Sequence, residues 1–191
     1  ESRGPILFVQ TRLGRNGRHF SMFKFRKFHA ACNGGSALTL AGDARLTRVG
    51  RVLVATKLDE LPQFWNVLTG DMAIIGPRPE SLAFADCFEG PFRRVLEHKP
   101  GILGPSQVVF RNESVLYAGV RDPAALYREV IFPTKARIDL DYFESRSLVG
   151  DIGWILRGVQ AVLGIEGARS RQSAAPVLAN VAQRARAADG M

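Results

Sequence analysis

The residues of this chain best suited to chemistry are two adjacent carboxylates in Leu58-Asp59-Glu60-Leu61-Pro62-Gln63. An ionised Asp59 can attack phosphorus and form an acyl phosphate, a covalent route that divides one transfer into two steps. Glu60, with Asp59 beside it, can hold a magnesium ion, which takes one or two carboxylates together with phosphate oxygens. The same residues also have a plain structural use. Asp is a preferred helix N-cap, Glu is at home in a first turn, and on pattern alone capping is the simpler account.

Cationic residues stand on both sides of the acids. Arg78 lies in Gly76-Pro77-Arg78-Pro79, where two prolines forbid helix and stiffen the loop; its guanidinium suits a diphosphate or an ordinary surface role. Lys24, Arg26 and Lys27 either add charge to a phosphate site or form the solvated face of a strand. His19, His29 and His98 have no spacing that suggests a metal site, and neither a GxxxxGK[ST] loop nor a glycine-rich dinucleotide fingerprint occurs.

The elements that must position these residues follow from local pattern. Ile6 to Gln10 and Phe20 to Phe25 are rich in β-formers, and Gly14-Arg15-Asn16-Gly17 between them supplies a turn, which predicts a hairpin. Ala31 to Gly42 has no periodicity and reads as a mobile loop. A helix is expected from Asp43, with Leu46, Val49, Val52 and Leu53 on one side.

Leu61, Phe64, Trp65 and Leu68 predict a second helix that ends near Gly70; Pro62 confines its start to about Asp59 or Glu60. Met72 to Ile75 reads as a short buried strand. Ser81 caps a helix to about Glu89, and Phe92, Val95 and Leu96 continue helical spacing to Pro100. Further helices are expected from about Pro133 to Glu144, and to about Leu163 with Ile152, Ile155, Leu156, Val159 and Val162 on a face assigned to the core. From Ala168 the chain is Ala- and Arg-rich and reads as an exposed helix or a disordered tail.

At 191 residues the chain supports one core, and 26 Lys and Arg against 18 Asp and Glu, a net charge of +8, predict attraction to phosphates. Cys32 and Cys87 match neither a disulfide framework nor a zinc spacing. No run of apolar residues approaches the roughly 18 that a spanning helix requires. The first residue is Glu1, so the sequence reads as a piece of a longer protein. The resulting expectation is an α+β fold: a mostly helical single domain over residues 1–165 with a small antiparallel hairpin near its N-terminus, followed by the tail 166–191.

Taken in order, the motifs resemble the bacterial sugar transferases, the monotopic phosphoglycosyl transferases. The resemblance runs through Gly4-Pro5-Ile6-Leu7-Phe8, Arg12-Leu13-Gly14, Lys24-Phe25-Arg26 and Asp43 to Gly50. It is strongest over Leu58 to Gln63, Asn66-Val67-Leu68, Gly70-Asp71-Met72 and Gly76-Pro77-Arg78-Pro79-Glu80, and closes on Lys99-Pro100-Gly101-Ile102, Gln107-Val108, Asp139, Tyr142 and Asp151. It outweighs the capping account of Asp59.

The resemblance implies a ping-pong transfer of a sugar phosphate from a UDP-sugar to a polyprenyl phosphate through Asp59. Glu60, with Asp59, would hold Mg2+; Lys24, Arg26 and Arg78 would bind substrate phosphate; Asp139, Gln107 and Glu80 would support the site. It further implies an anionic membrane surface as partner, the cytoplasmic face of the bacterial inner membrane as location, and an upstream membrane-entering segment; an oligomer is left open. Lys57, Arg3 and Leu103-Gly104-Pro105-Ser106 depart from the family pattern, as does the longer stretch from Glu113 to Phe132. The rival readings are a basic nucleic-acid-binding module, for which no reading helix or aromatic platform is recognisable, and a catalytically idle scaffold of the same family.

Overall fold

A computed structural model describes residues 3–32, 38–40, 42–165, 176, 178–181 and 183. Strands β1 (Leu7–Leu13) and β2 (His19–Phe25) pair antiparallel in the register Leu7 to Phe25, joined by a tight turn in which Asn16 and Gly17 take positive φ. The hairpin is as expected. Alternation along β2 buries Met22 and Lys24 on one face, so a lysine is carried inward by a strand.

Helix α1 (Arg48–Thr56) starts later than the predicted Asp43, because Asp43 is occupied by the Arg45 guanidinium at 2.6 Å and Thr47 takes the cap, accepting from Gly50 N at 2.8 Å. Lys57 then turns left-handed, and the 3-10 turn Leu58–Glu60 leads through Pro62 into α2 (Gln63–Leu68). The acids therefore occupy the turn before the helix.

Strand β3 (Ala73–Ile75) pairs parallel with β4 (Gly101–Leu103), a second small sheet that the sequence pattern did not suggest, and α3 (Pro105–Val109) follows directly. The ends of these strands approach so closely that a Cβ on Gly101 would stand 2.1 Å from Gly76 N. Only glycine fits there. The stretches Leu82–Cys87 and Gly90–Glu97, expected as α-helix, are 3-10.

Helix α4 (Pro123–Leu126), capped by Asp122, runs through a π turn over Tyr127–Ile131 into α5 (Phe132–Glu144), so the helix expected from Pro133 begins ten residues earlier. Pro133 lacks an N–H and its ring crowds the carbonyl four residues back; a widened turn immediately before it accommodates both. Helix α6 (Leu148–Val162) is capped by Ser147.

The core gathers Phe84, Phe88, Val95, Phe110, Leu126, Tyr127, Ile131, Phe132 and Ala136 between the 3-10 segments and α3 to α5. Val181 joins it, 1% exposed, from a part of the tail whose described residues are helical and exposed at Pro176, Ala179, Asn180 and Gln183. Half of Ala31 to Gly42 that was read as a loop, residues 33–37 and 41, lies outside the described residues.

Two helices are inside out relative to expectation. In α2 the buried residues are Gln63 and Asn66, while Phe64, Trp65 and Leu68 are 49%, 61% and 80% exposed. Asn66 is drawn inward because its side chain takes the Phe23 N–H at 3.1 Å and donates to Ser21 O at 2.8 Å, satisfying the edge of β2. In α6 the face assigned to the core is exposed at Ile152, Leu156, Val159 and Leu163, and the buried residues are Gly158 and Ala161. A Cβ at Gly158 would stand 2.3 Å from Leu103 Cδ1, so the inner face has room only for small residues. No helix among the described residues is long and apolar enough to cross a membrane.

Candidate active site

The turn carrying Asp59 and Glu60 opens onto a cleft of about 600 Å³, bounded by β2, α1, the loop Pro77 to Ser81, α3 and α5. This volume suits a sizeable ligand. Its walls are built by long-range contacts. Thr47 N and Oγ1 both donate to Lys27 O, at 3.0 and 3.3 Å, which seats the start of α1 on the end of β2. Leu13 N donates to Glu80 O at 3.3 Å, and Arg12 bridges Ser81, which fastens the Arg78 loop to the hairpin.

Asp59 is 3% exposed. Its Oδ2 lies 4.0 Å from Lys27 Nζ, while its Oδ1 is buried without a hydrogen-bond partner. An unpaired buried acceptor costs about 1–3 kcal/mol, more when charged. The fold therefore carries a carboxylate oxygen that a ligand would satisfy.

Glu60 is differently placed. Lys24 Nζ donates to its Oε1 at 3.0 Å and Arg78 Nη1 stands 3.8 Å from the same oxygen. Burial alone would raise the Glu60 carboxyl, but Lys24, Arg78 and Lys57 outweigh it and hold it down at about 2. Burial and neighbouring cations lower Lys24 and Lys27, the latter to about 8. Burial likewise lowers Arg12 to about 10, with Arg78 adding repulsion.

A capping acid needs only a nearby backbone N–H. Here four cationic side chains, Lys24, Lys27, Lys57 and Arg78, surround two acids at the wall of a cleft. Among the described residues no three or more His, Cys, Asp or Glu side chains gather as a metal cage. Two adjacent carboxylates, one with an orphaned oxygen, fit magnesium's habit of taking a few protein ligands and completing its shell from phosphate.

The remaining expected residues divide. Gln107 reaches the cleft from α3 and ties the strand ends by donating to Gly101 O at 3.2 Å. Asp139 lies behind it: Ser106 N and Oγ donate to its two oxygens at 3.0 and 2.7 Å, so it anchors the start of α3 from α5. Burial pushes the Asp139 carboxyl up to about 7 despite those bonds. Glu80 lines the cleft and shares a hydrogen bond with Tyr127. Arg26 does not line the cleft; its guanidinium donates to Pro5 O at 2.8 Å.

Sequence reasoning missed Arg12 and the group Glu113, Tyr117, Tyr127 and Lys135, all of which line the cleft. A usable signal existed for Lys135: it and Asp139 are four apart on the helical stripe that also contains Ile131, and charged residues on an inward stripe are rare without a partner.

Comparison with known proteins decides the lineage: residues 1–164 match the profile of the family described as bacterial sugar transferase. The chain belongs to that family. This sugar transferase domain is 38% identical over 175 residues to a UDP-N-acetylgalactosamine-undecaprenyl-phosphate N-acetylgalactosaminephosphotransferase of Aeromonas hydrophila, covering 88% of the chain and 38% of the relative. It is 37% identical over 174 residues to a UDP-glucose:undecaprenyl-phosphate glucose-1-phosphate transferase of Caulobacter vibrioides, covering 88% and 60%. A galactosyl transferase of Streptococcus agalactiae is 33% identical over 178 residues, covering 87% and 36%. The sugar transferase domain thus spans less than two thirds of the length of each of these relatives, from 36% to 60%.

Proposed function

We propose that this domain transfers a sugar 1-phosphate from a UDP-sugar to undecaprenyl phosphate, releasing UMP and forming a polyprenyl-diphosphate sugar. The single observation carrying the reading is the buried Asp59 with its unpartnered Oδ1, set at the wall of a cleft among Lys24, Lys27, Lys57 and Arg78. The names of the relatives supply the substrate classes.

In the first step an Asp59 oxygen bonds to the phosphorus that bears the sugar, and the bond to the UMP oxygen breaks, so the electron pair leaves with UMP. In the second step a phosphate oxygen of the acceptor attacks the same phosphorus and Asp59 recovers its carboxylate. Lys24 and Arg78, already on Glu60, steady phosphate charge without rearranging, the preorganisation that makes electrostatic catalysis effective. Glu60 and Asp59 would hold Mg2+, which supplies charge neutralisation at the phosphate oxygens.

The acceptor is a lipid, and the exposed apolar residues of α2 and α6 suit the surface of a membrane. Basic residues near an anionic leaflet add about 1 kcal/mol each. The reading places the domain on the cytoplasmic face of the inner membrane.

The test is Asp59→Asn. UMP release and lipid-linked product from a UDP-sugar with undecaprenyl phosphate should both fall by about 10³-fold or more, as expected on removal of a nucleophile. In wild-type protein given donor without acceptor, intact mass should rise by one sugar phosphate, on the peptide containing Asp59. Normal turnover by the variant would remove Asp59 from the chemistry.

A further inference from the structure

The geometry points to Glu113, Tyr117, Tyr127 and Lys135 as the wall that recognises the hydroxyl groups of the transferred sugar, and so sets which UDP-sugar is used. This rests on the reading above and adds the residues of specificity to it.

The four side chains form one network facing the cleft. Lys135 Nζ pairs with Glu113 Oε2, Tyr117 OH donates to Glu113 Oε1, and Lys135 Nζ stands 5.0 Å from the Tyr127 ring centroid. The side chains of Lys135 and Glu113 are only 7% and 20% exposed. A buried ion pair is weak support for stability, since a well-packed apolar pair serves as well or better. One kept at the wall of a ligand cleft has another use.

Position and charge identify the ligand group. Arg78 joins this wall to the reacting acids, lying 3.8 Å from Glu60 and within electrostatic reach of Glu80, Glu113 and Tyr127. The wall is thus one residue away from the phosphate site. On the phosphorus that Asp59 would attack, the sugar is attached directly through one oxygen, whereas uridine lies beyond a second phosphate.

Charge agrees with that placement. Glu113 and Lys135 neutralise each other, and Glu80 faces Arg12 and Arg78, so this end carries little surplus charge and suits a neutral polyol. A carboxylate, an ammonium and a phenol supply acceptors and donors, and sites that hydrogen-bond a substrate hydroxyl reject analogues lacking it far more strongly than apolar pockets do.

The experiment measures kcat/KM for UMP release with UDP-glucose, UDP-galactose and their N-acetylhexosamine counterparts, undecaprenyl phosphate being the acceptor, and inhibition by UMP alongside. For Glu113→Gln and Tyr117→Phe the ratio between the best donor and its C4 epimer should shift by about 10-fold or more, while the UMP inhibition constant stays within about threefold. Tyr117→Phe removes one oxygen only and carries the test if Glu113→Gln melts early. An unchanged donor ratio in folded variants overturns the inference and leaves the transferase reading standing. Weaker UMP inhibition in step with the donor loss overturns it too, by assigning the wall to uridine. Wild-type protein that turns over no UDP-sugar would remove the transferase reading and this one together.

Discussion

The two ends of the cleft place carboxylates in opposite company. At the Asp59 end, two acids are outnumbered by Lys24, Lys27, Lys57 and Arg78, and one acidic oxygen has no partner. At the Glu113 end, one acid meets one base and a phenol, and the charge closes on itself. The difference teaches how one cavity can receive a highly charged diphosphate beside an uncharged sugar: surplus positive charge is left open at one end and cancelled at the other.

Breaking the ion pair of the neutral end should carry the largest cost in stability, beside its effect on donor choice. Lys135→Met strands Glu113 in a buried setting, and removing one partner of such a pair costs about 3–5 kcal/mol. Urea or thermal unfolding should register that loss; an unchanged midpoint would mean that the two ends are not as different as the geometry indicates. Glu113→Gln with Lys135→Met should recover much of it.

The charged end should respond in activity rather than stability. Arg78→Ala should raise the donor KM about 10- to 100-fold, the effect of losing a charge-assisted phosphate contact, with little change in melting temperature because its side chain remains 37% exposed. Unaltered donor affinity would make Arg78 a structural residue.

The smallest effect is a pH dependence. Lys27, lowered to about 8 chiefly by burial and then by Lys24, loses its proton as pH rises through that value, so the cation facing Asp59 disappears on the alkaline side. Donor KM should climb severalfold between about pH 7 and 9, and Lys27→Arg, which holds its charge throughout, should flatten the profile. An identical profile in both proteins would assign the titration elsewhere.

Legibility differed between the site and its surroundings. The hairpin and the Asp59-Glu60 turn could be read locally, because β-formers flanking a glycine turn and a proline two residues after a pair of acids are short-range constraints. The parallel pairing of β3 with β4 could not, since it joins segments only three residues long. Arg26, adjacent in sequence to the strand that bears Lys24, lies outside the cleft, whereas Arg12 and Lys135 line it.

From sequence alone came the α+β class, the family resemblance and the two acids. Only the tertiary structure decided which side of α2 and α6 faces the protein, which cations reach Asp59, and that Glu113 and Lys135 meet. Periodicity reports that a helix has two unlike faces, but the sign of that contrast depends on what the neighbouring element leaves room for: the β2 edge draws Asn66 inward, and Leu103 admits only Gly158. Charge pairing likewise depends on distance in space, which is how Lys24 and Glu60, 36 positions apart in the chain, come to share a hydrogen bond.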